Sequence, residues 1–451
     1  MDCNNPTNRI MMKKFLSAAL LILFSAHVFA QGWTLKDCID YALENNITVR
    51  QNAIAVEQRE NDLSTAKGRR LPGVSAGASQ NFSFGRGLTA MNIYENTNTT
   101  STSFSLGADM TLFQGFAIRD NIAVSKLNLE SATADLEKAR DDIRVAVAQA
   151  YVQILYSKAI VDVAGFQVSV DSMQVERLMA MQENGKASMA DVSAQKATLA
   201  KSELSLTQAR NSLGIALLDL TQLLELTSPE GFDIELPDSS AFNPASLPVL
   251  ANPEDIFMEA SVIKPGIRSE QIRLKSAEQN IKMAKGNYLP SLSLSGGIGS
   301  NYYTNSRGES DGFGTQLSNN FSQYIGLSLN IPVFSRLSNR NGVRSAQLSY
   351  RNQQLQLDNV RKSLYKEIQQ AYYNAVASES KYLSSVAAET SALESFRITE
   401  AKYEEGKAGI TEYNESKSRW ISAASDLAQA RYEYLYQTKL LDFYRGMELS
   451  F

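Results

Sequence analysis

The chain contains itself twice, and this limits every fold open to it. A shift of 218 residues lays Val49-Arg50 on Ile267-Arg268, Ala66-Lys67-Gly68 on Ala284-Lys285-Gly286, and Leu71-Pro72 on Leu289-Pro290. A shift of 221 lays Phe113 on Phe334, Ala150-Tyr151 on Ala371-Tyr372, Gly185-Lys186-Ala187 on Gly406-Lys407-Ala408, and Ala209-Arg210 on Ala430-Arg431. The difference puts one insertion between residues 72 and 113. So long a period is no solenoid unit, which runs to roughly 20–50 residues. It marks a duplicated half-protein, predicted as residues 31–227 and 252–451. The linker 228–251 between them holds Pro229, Pro237, Pro244 and Pro248.

Each half has the same internal order. Residues 34–70 lack proline and read as helix, broken near Asn45-Asn46. Arg70-Leu71-Pro72-Gly73 stops it, because proline cannot continue a helix. Val74, Ala76, Ala78, Phe82 and Phe84 then share one parity, with Ser, Gly and Asn on the other. After a polar segment, 86–100, the alternation resumes at Phe104, Leu106, Ala108, Met110 and Leu112. The second half repeats it with Leu292, Leu294, Ile298 and Tyr302, a Gly/Ser/Asn loop over about 304–320, and Ile325, Leu327, Leu329, Ile331 and Val333. This period of two is a strand signature. Strands of about ten to thirteen residues can cross a bilayer when tilted, and can equally form a soluble hairpin.

From Ala117 to Gln182 there is no proline and one glycine, Gly165. A continuous helix there would measure about 100 Å. Ile122, Leu129, Leu136, Ile143 and Ala150 recur every seven residues, with Ala132, Ala139 and Ala146 three positions on. The seam then slips by four to Val147, Ile154, Val161, Val168 and Val175, a stutter that locally unwinds a coiled coil. The second half answers with Val343, Tyr350, Leu357, Leu364 and Ala371. Second helices are predicted over about Ala190–Leu226 and Thr411–Arg445. Asn184-Gly185-Lys186 and Glu405-Gly406-Lys407 lie between the arms, where glycine can end a helix in the left-handed conformation. Each half thus carries a long helical hairpin.

Residues 1–30 read as a secretory signal: Lys13 and Lys14, an apolar run from Phe15 to Phe29, and Val28-Phe29-Ala30 before a cut at Gln31. Met11 offers an alternative start. The expected mature chain loses His27, the sole histidine, and keeps one cysteine, Cys38, on the apolar side of a short helix. No cysteine follows the cut to carry a lipid. Without histidine or a cysteine cluster, zinc and triad chemistries are excluded, and no glycine-rich phosphate loop is present. The expectation is a non-enzyme without cofactor or metal. A net charge of -4 argues against nucleic acid. No other stretch reads as a membrane-spanning helix.

If the strands face lipid, their edges must be paired. Four strands cannot close around a lumen, and side chains fill an eight-stranded barrel. Three chains supply twelve strands, and cyclic symmetry closes the ring. If the strands instead form soluble hairpins, the chain is a periplasmic coiled-coil scaffold without a pore.

The signal peptide, the duplicated helix–Leu-Pro–strand unit, the glycine-centred tips and the segment Ala430-Arg431-Tyr432-Glu433-Tyr434-Leu435 resemble TolC-type outer-membrane efflux proteins, the outer membrane factors. The resemblance covers nearly all of the mature chain. It implies a mostly α fold with β: long antiparallel helical hairpins forming a periplasmic α-barrel, and four transmembrane strands per chain in a shared trimeric twelve-stranded β-barrel. It implies a homotrimer in outer-membrane lipid, docked to a periplasmic membrane-fusion adaptor and an inner-membrane pump of the RND or ABC type. The implied function is a passive exit duct for efflux or type I secretion.

Carried onto this sequence, the resemblance places the periplasmic constriction at Asp191, Tyr403, Glu412 and Glu415. It places adaptor docking at the tips, Gly185, Lys186, Gly406 and Lys407. The family pattern also has an arginine two places after the second tip glycine; here that residue is Ala408, beside Lys407. Each acid also has a plainer reading. Asp191 stands where a helix N-terminus takes a carboxylate, and Glu412 and Glu415 suit a solvated helix face. Under three-fold symmetry, acids facing the axis become rings that favour cations.

Overall fold

The computed structural model describes residues 32–88, 93–237, 250–306 and 310–450. The expected signal peptide and the middle of the linker, with Pro244 and Pro248, lie outside the described residues. The chain divides into two compact units, and each draws on both repeats. One takes the described parts of Met1–Asn52, Leu136–Pro265 and Arg361–Phe451. The other takes those of Ala53–Asp135 and Gly266–Val360.

Helix α1 (Leu35–Asn45) opens with a capping box: the Asp37 N–H donates to Thr34 Oγ1 at 3.1 Å, and the Thr34 N–H donates to Asp37 Oδ2 at 3.2 Å. It buries Leu35, Cys38, Ile39 and Ala42, one stripe of the helical period. Burial pushes the Cys38 thiol up to about 12, so it packs as an inert apolar group. The break falls at Asn46, whose backbone is extended, and α2 follows (Ile47–Gly68). The repeat supplies α5 (Pro253–Ile263) and α6 (Pro265–Gly286), broken at Lys264.

The strands are β1 (Gly73–Ser83), β4 (Thr99–Gln114), β5 (Ser291–Asn305) and β6 (Ser322–Asn330), antiparallel in the order β1-β4-β5-β6. A separate small ribbon joins β2 (Arg86–Leu88) to β3 (Tyr94–Asn96) inside the polar segment 86–100. Pairing sets one parity together: Ala76↔Leu106↔Ile298, and Leu294↔Leu327. That face is apolar. The opposite face aligns Ser79↔Ser103↔Asn301 and Ser293↔Ser328. Leu112 does not continue the apolar parity as expected. It is the extra residue of a bulge, and Phe113 pairs with Leu292 in its place. Ile331 and Val333 fall beyond β6, since Pro332 has no N–H for the ladder. The loop after β5 contains a short helix, α7 (Phe313–Asn319).

At the strand-to-helix corner, Gly115 has φ 54°, and a Cβ there would collide with the Gly286 carbonyl. A Cβ on Gly286 would meet the Gly115 carbonyl in turn. The two repeats therefore touch backbone to backbone, which only glycine allows.

Helices α3 (Ala117–Glu183) and α8 (Ser338–Glu404) are each 67 residues long, and their partners α4 (Met189–Leu223) and α9 (Ile410–Tyr444) are each 35. These equal lengths are the duplication in structural form. Leu136, Ile143, Val147, Ile154 and Val175 of the expected seam are buried, as are Leu357, Leu364 and Ala371. Past Ile154 the seam departs from the heptad: Val161 and Val168 are half-buried, while Ala164, Val170 and Asp171 are buried. Among the described residues, no helix is long and apolar enough to cross a membrane.

Candidate gate and hairpin tips

Both hairpin tips are built the same way. Gly185 has φ 73°, its N–H donates to the Gln182 carbonyl at 2.9 Å, and the Lys186 N–H donates to the Met181 carbonyl at 2.7 Å. Gly406 has φ 70°, with Gly406 N–H to the Tyr403 carbonyl at 3.1 Å and Lys407 N–H to the Lys402 carbonyl at 2.8 Å. These are Schellman closures, which need a left-handed residue and satisfy the last carbonyls of α3 and α8. Lys186 and Lys407 are exposed beside them, and Lys407 pairs with Glu405 at 2.5 Å.

The two tips differ in how the return helix starts. Ser188 caps α4 and forms a box with Asp191. The Asp191 N–H donates to Ser188 Oγ at 3.1 Å, and Asp191 Oδ2 accepts from the Ser188 hydroxyl at 2.7 Å and its N–H at 3.1 Å. These bonds hold the Asp191 carboxyl below its ordinary range. At the same place in α9 stands Gly409, without a side-chain cap. Glu412 and Glu415 are exposed one turn apart on α9, and Glu415 pairs with Arg419 at 3.6 Å.

Tyr403, at the end of α8, is held by side chains of α3 and α9. Its hydroxyl accepts from Gln174 Nε2, its ring lies 4.9 Å from the Tyr413 ring, and the Arg177 guanidinium sits 5.0 Å above it. Arg177 also reaches Glu404 at 3.9 Å. The cation against Tyr403 thus comes from α3, and not from the position of Ala408. Tyr413 packs in a small core with Val170 and Phe396, and Trp420 stacks on Phe396 at 5.4 Å.

Behind this core lies a polar knot that the sequence did not announce. Asp171 of α3 is 0% exposed and accepts from Lys417 Nζ of α9, itself 2% exposed. Asp171 also accepts from Ser202 Oγ and, at 3.1 Å, from Gln195 Nε2, both on α4. Asn414 Nδ2 donates to Gln195 Oε1 at 3.1 Å. Two hairpins are thereby pinned through three helices, about 21 Å along α3 from its tip glycine. A charge so deep is tolerable only when paired and fully hydrogen-bonded. In the sequence Asp171 lies off the Val161, Val168, Val175 line, and neither it nor Lys417 is marked as buried.

The arrangement suits a conduit: exposed acids on a helix face, aromatic packing behind them, and a fixed polar pin further back. The family described as Outer membrane efflux protein matches residues 38–225 and 259–446, one match per repeat. TolC of Escherichia coli strain K12 is 24% identical over 436 residues, covering 94% of this chain and 84% of TolC. The outer membrane efflux protein BepC of Brucella suis is 22% identical over 346 residues, covering 76% of this chain and 69% of BepC. The crystal structure of the Campylobacter jejuni CmeC outer membrane channel superposes with a TM-score of 0.77 at 18% identity, covering 92% of this chain and 87% of that one. The chain belongs to the outer membrane efflux protein family, and its strands and doubled hairpins have the fold of an outer-membrane channel with a periplasmic helical extension.

Proposed function

We propose that this chain is the exit duct of a tripartite efflux or type I secretion system, carrying substrates passively from an inner-membrane pump to the exterior. The observation that carries the reading is the β1-β4-β5-β6 sheet. One face is apolar and exposed, the other carries mostly Ser, Gly, Thr and Asn, and among the described residues the outer strands β1 and β6 each pair on one side only. In hydrocarbon such edges are intolerable, and three copies joined edge to edge leave none. The working form is a homotrimer. Residues 1–30 direct export and are removed, and 31–227 and 252–451 act as equivalent halves joined by 228–251.

Glu412 and Glu415, tripled by symmetry, form carboxylate rings at the periplasmic constriction, where Asp191 and Tyr403 also stand. A ring of fixed negative charge favours cations and slows anions. The tips at Gly185, Lys186, Gly406 and Lys407 receive a periplasmic adaptor; their Schellman closures present rigid, exposed ends. The chain belongs to a family of channels, and transport through it is driven by the pump.

Purification in mild detergent followed by reconstitution into a planar bilayer tests the reading. A stable trimer that conducts ions supports it. A monomer without current refutes it and favours a poreless scaffold.

A further inference from the structure

Strand β5 runs past its neighbour. Strand β6 begins at Ser322, opposite Gly299, so Ser300–Asn305 of β5 have β4 on one side and, among the described residues, no strand on the other. Helix α7 lies along that edge. Gln316 imitates a strand: its Oε1 accepts from the Tyr303 N–H at 2.9 Å, and its Nε2 donates to the Tyr303 carbonyl at 2.9 Å. Ser300 Oγ donates to the Leu317 carbonyl at 2.7 Å, and Asn320 Nδ2 donates to the Asn301 carbonyl at 2.7 Å.

This staple settles which face of the sheet carries α7. Ser300, Tyr302 and Phe104 share the apolar parity, and Phe313 packs edge-on against Phe104 at 6.4 Å and against Tyr302 at 5.1 Å. Phe321 follows the helix. Between it and the sheet lies a groove of about 530 Å³. Its floor is Ala76 and Ala78, and its sides include Phe104, Leu106, Ile298 and Phe321, with no charged residue among its lining. Phe321 is 56% exposed and Ile298 43%, so the groove opens outward. It is continuous with the apolar face that, in an outer-membrane protein, lies against hydrocarbon.

We propose that this groove seats one acyl chain of an outer-membrane lipid per subunit, held more tightly than the lipid around the rest of the wall. The inference rests on the outer-membrane reading above. A flat barrel wall offers a chain contact on one side. Here small side chains recess the floor while an aromatic stands over it, so the chain is contacted on two sides. The groove wall is fixed by Gln316 and Asn320 before any lipid arrives, which limits the ordering cost of binding. Hydrocarbon is the occupant because it is the medium on this face and the lining holds no charge for a headgroup; the Ser300 hydroxyl in it is already donated to the Leu317 carbonyl.

The test uses the full chain purified in detergent, stripped of lipid and titrated with dioleoyl phosphatidylethanolamine, with bound lipid counted by native mass spectrometry. Wild type should hold one lipid per subunit beyond a weaker background. Ala78→Leu fills the floor and should weaken that binding about tenfold, the equivalent of roughly two methylenes displaced from contact. Ala108→Leu makes the same change on the same face outside the groove and should bind like wild type. Phe321→Ala removes the overhanging wall without crowding the floor, and decides the matter if Ala78→Leu does not assemble. Equal retention by wild type, Ala78→Leu and Phe321→Ala overturns the proposal. So does loss of the trimer in Phe321→Ala with lipid binding intact, which would make the groove a subunit contact. Ionic current through the wild type reports on the channel reading separately.

Discussion

Lys417→Met should destabilise the hairpins far more than its conservative shape suggests. The Asp171 carboxylate is wholly buried and would keep only Ser202 and Gln195 as partners. Removing one member of a buried pair typically costs about 3–5 kcal/mol, because the remaining charge is left unneutralised. Asp171→Asn should cost a similar amount by stranding the ammonium. The double variant, Asp171→Asn with Lys417→Met, buries no charge and should recover to within about 1 kcal/mol of wild type or exceed it. Helix loss on heating in detergent, followed by circular dichroism at one fixed scan rate, ranks the four proteins. The expected order is both single variants well below wild type and the double variant close to it. Single variants that melt with wild type would show that the pair contributes nothing. A double variant as unstable as either single would show that geometry, and not charge pairing, holds the three helices.

Glu412→Gln with Glu415→Gln should weaken cation preference in single-channel recordings; an unchanged reversal potential under a salt gradient would remove both from the constriction. Gly115→Ala should lose at least about 2 kcal/mol, since a left-handed alanine alone costs about 1–2 kcal/mol and its Cβ would strike the Gly286 carbonyl. The control is Gly214→Ala in α4, where a Cβ meets nothing within 4 Å; it should gain up to about 1 kcal/mol, and both are read from the melting midpoint. Burial and then the neighbouring Glu404 push the Glu400 carboxyl above its ordinary value. A carboxyl raised on folding stabilises the fold at pH below its unfolded value, and loses that contribution as pH rises through its folded value. Glu400→Gln should therefore flatten the fall in melting midpoint as pH rises above about 4, and an unchanged slope would place the pH dependence elsewhere.

How far the sequence could be read depended on the range of each signal. Long helices and paired strands repeat over many residues, and the second copy checks the first, so Ala117–Glu183 was legible almost to its ends and the seam of Ser338–Glu404 followed from the shift. Local exceptions were not. The bulge at Leu112 hid because leucine also fits the alternating pattern that it interrupts. Ile331 and Val333 prolonged the β6 pattern past a proline that ends the ladder. Helix α7 was lost in a Gly/Ser/Asn-rich segment; what holds it is Gln316 paired to the Tyr303 backbone, a contact that no periodicity encodes. The Asp171–Lys417 pin was hidden for a different reason. Its members are 246 residues apart, and each alone resembles a solvated charge on a helix.

The clearest functional lesson comes from a place where the copies disagree. Ser188 and Gly409 occupy the same position in the two repeats, as do Asp191 and Glu412. In the first repeat the serine draws the acid back into a capping box. In the second the serine is replaced by glycine, α9 starts without a side-chain cap, and the acid stays exposed. The difference between Ser188 and Gly409 thus leaves Asp191 bonded into a helix cap and Glu412 outside one. The change can be reversed: Gly409 has φ -84°, which serine adopts freely, and a Cβ there meets nothing within 4 Å. Gly409→Ser would create the Ser-x-x-Glu pattern of a capping box, with Glu412 at the third helical position. The α9 start should gain a few tenths of a kcal/mol, about 0.5 kcal/mol with the reciprocal bond. Glu412 should withdraw toward the backbone N–H of the introduced serine, so cation preference should fall toward that of Glu412→Gln while the carboxylate remains. If Gly409→Ser raises the melting midpoint and leaves the reversal potential at the wild-type value, Glu412 does not face the conduction path, and the division of labour between the two acids is wrong.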